Sequence, residues 1–128
     1  MKSLKSLLLI FLVAFSSIGF AGELKAFAQT EFDKLNADGK GVIVAVHAPW
    51  CPTCKVQKPI QSELIFSLPY KEVTMMTIDF DSQKDLLKKF NVTMQSTMIA
   101  FKGGKEVGRS VGDTSRNGIE GMFQRTLR

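Results

Sequence analysis

Cys51 and Cys54 are the only cysteines in the chain and stand two residues apart in Ala48-Pro49-Trp50-Cys51-Pro52-Thr53-Cys54-Lys55. A dithiol at this spacing can close a small disulfide, and the thiolate is the nucleophile that opens and re-forms such bonds. The stretch follows an apolar, β-branched run and begins a helical pattern. A helix start offers unpaired N–H groups to the first sulfur and favours its ionised form. The alternative use of the pair is a structural staple. Bridging residues three apart closes almost no loop, however, so it removes little entropy from the unfolded chain. Spacing and context therefore point to redox chemistry.

The elements that must carry this pair follow from periodicity. Thr30 opens a short helical segment, Glu31 to Ala37, with Phe32 and Leu35 as its apolar contacts and Asp38-Gly39 as its stop. Gly41 to Val46 is continuously apolar, as a strand buried on both faces requires, so it is expected at the centre of the sheet. Pro52 suits a first helical turn. Val56, Ile60, Leu64 and Leu68 then recur every four residues and are read as the face toward the sheet, with a kink at Pro59 and a stop at Leu68-Pro69. Val73 to Phe80 reads as a second strand, with Met75 and Met76 on its opposite faces as packing residues. Ser82 to Asp85 reads as a capped helix start, with Leu86, Leu87 and Phe90 buried. Met98 to Lys102, Gly103-Gly104 and Lys105 to Val111 form an antiparallel hairpin, and the tail from Ser115 places Ile119, Met122, Phe123 and Leu127 on one helical face. The fold class is α/β: a central mixed β-sheet flanked by helices on both faces, with the cysteines at the C-terminal end of a strand, a usual place for active sites.

The N-terminus has the pattern of an export leader. Lys2 and Lys5 precede an apolar run from Leu7 to Phe15, and Gly19-Phe20-Ala21 is a small-x-small cleavage site. The expectation is a signal peptide over residues 1–21 and one domain over 22–128, placing the mature protein in the periplasm or otherwise outside the cytoplasm. The alternative is an N-terminal membrane anchor, although Ser16 and Ser17 interrupt the run short of the roughly 20 residues a span needs. Loss of Lys2 and Lys5 takes the formal charge from +5 to +3. The remaining basic residues form no block or aromatic-basic array, which excludes nucleic acid as the expected partner.

The chain resembles the thioredoxin family from about Phe27 to Leu127. The features that carry the resemblance are Trp50-Cys51-x-x-Cys54-Lys55, the helix proline Pro59, the strand-Gly-Gly-strand hairpin and Gly112 before the last helix. The resemblance implies a thioredoxin fold and an exported protein-disulfide oxidoreductase without an organic cofactor. In it Cys51 is the exposed attacking thiol and Cys54 the recessed resolving thiol. Pro52 and Thr53 tune the potential, and Thr53 can donate through its hydroxyl. Trp50, Gln95, Ser96, Thr97 and Gly112 meet the substrate. The scaffold leans toward reduction, which requires a membrane electron donor, whereas oxidation requires a re-oxidising partner; the protein is expected to be a monomer.

Three residues depart from the family pattern. Ser96 stands where the family usually has a cis-proline. A cis bond before a non-proline residue costs about 2.5–4 kcal/mol, so Gln95–Ser96 is expected to be trans. The Ser96 hydroxyl either serves the dithiol or a metal, or completes a loop hydrogen bond. Ala45 occupies the place of a buried acid in reducing members, which removes an evident base for Cys54 and predicts slower resolution of mixed disulfides. His47, the only histidine, replaces a common aromatic residue. It is read as a half-buried packing residue, the weaker alternative being a copper or zinc site made by His47, Cys51 and Cys54.

Overall fold

The computed structural model describes residues 21–128. All of the expected leader except Ala21 lies outside the described residues. No described helix is long and apolar enough to cross a membrane. The elements run β1 (Glu23–Ala26), α1 (Gln29–Ala37), β2 (Gly41–His47), α2 (Pro52–Ile65), a 3-10 turn (Leu68–Tyr70), β3 (Thr74–Asp79), α3 (Lys84–Lys89), β4 (Thr97–Lys102), β5 (Lys105–Val111) and α4 (Arg116–Arg125).

One sheet of order β1-β3-β2-β4-β5 organises the chain. β2 is central, parallel to β3 and antiparallel to β4, and its residues Gly41 to Val46 are all buried. A strand covered on both faces can place an apolar side chain at every position, which is why this run has no alternation. Alternate residues feed two cores. Ile43, Ala45, Met75, Met98 and Ala100 pack with Leu64 and Ile65 of α2 and Ile119 and Phe123 of α4. Val42, Val44, Val46, Met76 and Ile99 pack with Phe32 of α1 and Leu87 of α3. Met75 and Met76 thus enter opposite cores, as the period of two requires. The β4–β5 hairpin turns at Gly103 and Gly104, with φ of +57° and +83°, the left-handed pair that suits a two-residue hairpin loop.

The structure corrects the expected element boundaries and faces. β1 precedes the first helix and was not anticipated. It is a four-residue edge strand with no buried side chain, so it shows no apolar alternation, and its pairing with β3 supplies the evidence for it. Val56 and Leu68 are 50% and 66% exposed, so they do not face the sheet. Four residues advance a helix by about 400°, so a strict four-residue repeat drifts about 40° per step and leaves any one face. The buried stripe is Cys54, Gln57, Gln61, Leu64 and Ile65, with Ile60 partly buried beside it. α2 runs through Pro59 as one helix. Ser82 does not cap α3, whose N-cap is Gln83 without a side-chain capping bond. Leu86 is half-buried, and Leu127 lies beyond the end of α4, exposed.

Phe27, Phe32, Phe90 and Phe101 form an aromatic cluster over the α1/α3 face, with Phe32 nearly edge-on to Phe90 and Phe101 at 5.4 and 5.1 Å. Phe32→Ala is therefore expected to cost about 3–5 kcal/mol. Urea denaturation checks this, and a loss below about 1 kcal/mol would show that the cluster contributes little beyond its neighbours.

Candidate active site

β2 ends at His47, and four residues carry the chain to Pro52, the first residue of α2. Cys51 is the N-cap. Its Sγ accepts the Cys54 N–H at 3.1 Å, so one of the helix's otherwise unpaired donors is spent on sulfur. When the pair is reduced, the same N–H favours a thiolate at Cys51, and Cys54, one turn inside, receives no such donor. The two residues are joined as a disulfide with Cα atoms 5.3 Å apart. Both side chains are buried, packed with Ala48 and Phe80. Cys51 is therefore not the exposed thiol that the resemblance implies: Ala48, Cys54 and Phe80 cover it. Thr53 is half-buried, and the hydrogen bond to the Cys51 sulfur comes from the Cys54 backbone, not from the Thr53 hydroxyl.

The Val46 carbonyl connects the dithiol to the loop opposite. It lies 4.0 Å from the Cys54 sulfur and accepts the Ser96 N–H at 2.8 Å. The Gln95–Ser96 peptide is trans, since the described residues contain no cis bond, and Ser96 has φ of +62°. This is left-handed backbone, which costs a serine about 1–2 kcal/mol and persists only where its surroundings fix it. Four bonds fix it here. The Ser96 N–H reaches Val46, its carbonyl accepts the Gly112 N–H at 3.0 Å and the Gln57 side-chain amide at 3.2 Å, and its hydroxyl donates to the Gln95 carbonyl. The hydroxyl thus completes a loop hydrogen bond. Thr97 is buried and donates to the Met94 carbonyl at 2.7 Å, which closes the same loop. Gly112 also has positive φ, +71°, a conformation glycine adopts without a side-chain clash.

Trp50 is 54% exposed, and its Nε1–H donates to both carboxylate oxygens of Asp81 at 3.1 and 2.9 Å. Its ring meets Phe80 edge-on at 6.4 Å. The indole is thereby held as an apolar wall next to Cys51 in the chain. Asp81 has no motif around it, so sequence reasoning missed it.

His47 and the two buried glutamines of α2 have separate tasks. His47 is half-buried, with its Nε2 3.0 Å from Gln61 Oε1, so the ring nitrogen carries the shared proton. Together they line a cavity of about 420 Å³ bounded also by Leu24, Lys58, Met75 and Thr77. Burial holds the His47 pKa below its ordinary value. The Gln61 bond opposes that shift, and the charge on Lys58 adds to it. Among the described residues no three His, Cys, Asp or Glu side chains are grouped to hold a metal, so His47, Cys51 and Cys54 are not brought together as ligands. Gln57 Oε1 and Gln61 Nε2 are buried without partners, and each such group costs about 1–3 kcal/mol. Both glutamines escaped the sequence reading, because a polar side chain on a helix is ordinarily assigned to the wet face. Ala45 is fully buried in the apolar core, and no acid takes its place there.

A dithiol capping a helix at the carboxyl end of a central strand, with the Ser96 loop hung from the same strand, defines a thiol–disulfide oxidoreductase on an α/β scaffold. The comparisons agree. The chain matches the thioredoxin family over residues 23–125. It is 39% identical over 89 residues to the thioredoxin of Chlamydia trachomatis serovar D, a match covering 70% of this chain and 84% of that one. It is 36% identical over 83 residues to thioredoxin-1 of Saccharomyces cerevisiae, covering 65% and 79% respectively. The crystal structure of Trxlp from Edwardsiella tarda EIB202 has the same fold, with a TM-score of 0.76 at 33% identity over 79% of this chain and 98% of that one. The chain belongs to the thioredoxin family.

Ser96→Pro removes the N–H given to Val46 and cannot adopt φ of +62°, so it should lower stability by about 3 kcal/mol or more, whereas Ser96→Gly should be neutral or slightly stabilising. Chemical denaturation of both variants checks this, and a Ser96→Pro protein as stable as the parent would show that the loop is free to rebuild. His47 has a folded pKa below its unfolded value, so the unfolded chain binds the proton first. The stability contributed by neutral His47 is present above about pH 6.5 and is lost as pH falls toward the depressed folded value. His47→Gln should flatten that part of the stability profile, and an unchanged profile would assign the pH dependence to other groups.

Proposed function

We propose that this oxidoreductase works outside the cytoplasm, after cleavage of residues 1–21, and there reduces disulfides in proteins as a monomer. The observation that carries the chemistry is the cap: the Cys54 N–H donating to Cys51 Sγ at 3.1 Å selects Cys51 as the attacking thiolate. Cys51 attacks a substrate disulfide, one substrate sulfur leaves as thiolate, and a Cys51–substrate mixed disulfide forms. Cys54 then attacks the Cys51 sulfur, releases the second substrate thiol and closes the Cys51–Cys54 disulfide. Two electrons have passed to the substrate, so a donor must reduce the pair again. For a domain beyond the membrane, a membrane protein that carries electrons across the bilayer supplies that need. The compartment rests on the leader pattern of Lys2, Lys5, the apolar run and Gly19-Phe20-Ala21.

Two measurements test the reading. Cys51→Ser should abolish exchange, while Cys54→Ser should accumulate mixed disulfides with a disulfide-bearing substrate, one substrate sulfur leaving as thiolate; trapping by Cys51→Ser alone would reverse the roles. Equilibration of the 22–128 domain against glutathione or dithiothreitol buffers gives the potential. A value near that of reducing thioredoxins, about −270 mV, supports the direction proposed, and a value near −120 mV would make the protein a disulfide donor.

A further inference from the structure

We infer that Gln57 is a positioning residue for protein substrates, tying together the two loops that face the dithiol. The inference rests on the oxidoreductase reading and identifies how the site holds an extended chain.

Gln57 lies one helical turn after Cys54 on the buried face of α2 and is fully covered. Its Nε2 donates at 3.2 Å to the Ser96 carbonyl and at 2.9 Å to the Asp113 carbonyl. Both protons of the amide are therefore engaged, one on the loop before β4 and one on the loop after β5. The orientation of the amide is fixed chemically, because exchanging its two ends would point Oε1 at two carbonyl oxygens. Its Oε1 is left buried and unpaired. A residue chosen only to fill the core would not carry such an orphan, so the side chain serves the two carbonyls it reaches.

The tie matters because Ser96 holds a left-handed backbone with no proline ring to fix it. The Gly112 N–H reaches the same Ser96 carbonyl, so Gln57, Ser96, Gly112 and Asp113 form one connected unit across the two loops. Met94 and Val111 are exposed apolar side chains beside these segments in the chain, and Trp50 is one beside Cys51. A peptide lying along the loops needs them at a set separation, whereas a small disulfide needs only the sulfur.

The test compares two substrates in Gln57→Leu and Gln57→Met, which fill similar volume without donors. With a peptide-borne disulfide, KM should rise about three- to tenfold with kcat little changed. With hydroxyethyl disulfide, rates should remain within about twofold of the parent. Amide hydrogen exchange at Ser96 and Gly112 should accelerate in both variants, whatever their activity. Equal losses on both substrates, an unchanged peptide KM, or unaltered exchange at those amides would overturn the inference. If Gln57→Leu does not fold, Gln57→Met decides by the same readings. A parent protein inactive on either disulfide would defeat the oxidoreductase reading instead, and the exchange measurement would still decide the role of Gln57.

Discussion

The site depends on how a fully buried strand becomes a helix within four residues. β2 ends at His47 and α2 begins at Pro52, and a helix start leaves N–H groups that require acceptors. In most proteins an oxygen from Ser, Asp or Thr accepts one of them. Here sulfur does, through Cys51. A capping problem common to all helices is solved with the group that performs the chemistry, and the difference between two otherwise identical thiols follows. Pro52 fits the same turn because the N–H it lacks had no partner to lose.

The strand underneath has an equal part. Because β2 is covered on both faces, its backbone position is set by two cores at once, with Ile43 and Ala45 in one and Val42, Val44 and Val46 in the other. The carbonyl of Val46 is therefore a fixed point against which the Cys54 sulfur and the Ser96 N–H are both placed. Close packing transmits little slack, so a loop hung from this carbonyl inherits the rigidity of the sheet.

The sequence exposed the parts of this arrangement that follow from apolar period and from cysteine spacing. The run Gly41 to Val46 showed the central strand, Gly103-Gly104 the hairpin, and Cys51 and Cys54 the site. What stayed hidden was polar and buried, or apolar and exposed. Gln57 and Gln61 occupy the inner stripe of α2 beside Ile60 and Leu64, while Val56 points to solvent, so a reading by hydrophobicity found part of the inner face and missed its polar members. β1 was hidden for a related reason: an edge strand held by backbone pairing to β3 needs no apolar side chains to form. The partnership of Trp50 with Asp81 spans 31 positions and depends on the turn after β3, which no local pattern encodes.

The two sulfurs also differ in what lies below them. The residue before Val46 is Ala45, wholly buried among apolar side chains, and Met75 sits opposite Ile43 on β3 in the same core. Cys54 itself packs with Ala48, Cys51 and Phe80, which offer neither a base to take its proton nor a charge to stabilise a thiolate, and burial without a partner disfavours the charged form. Cys51, by contrast, meets a backbone donor. The cap favours the thiolate of one cysteine, and apolar surroundings disfavour it in the other. Both effects act in the same direction, toward Cys51 as the attacking thiol. The ties among Gln57, Ser96, Gly112 and Asp113 hold the two loops across from that thiol at a set separation.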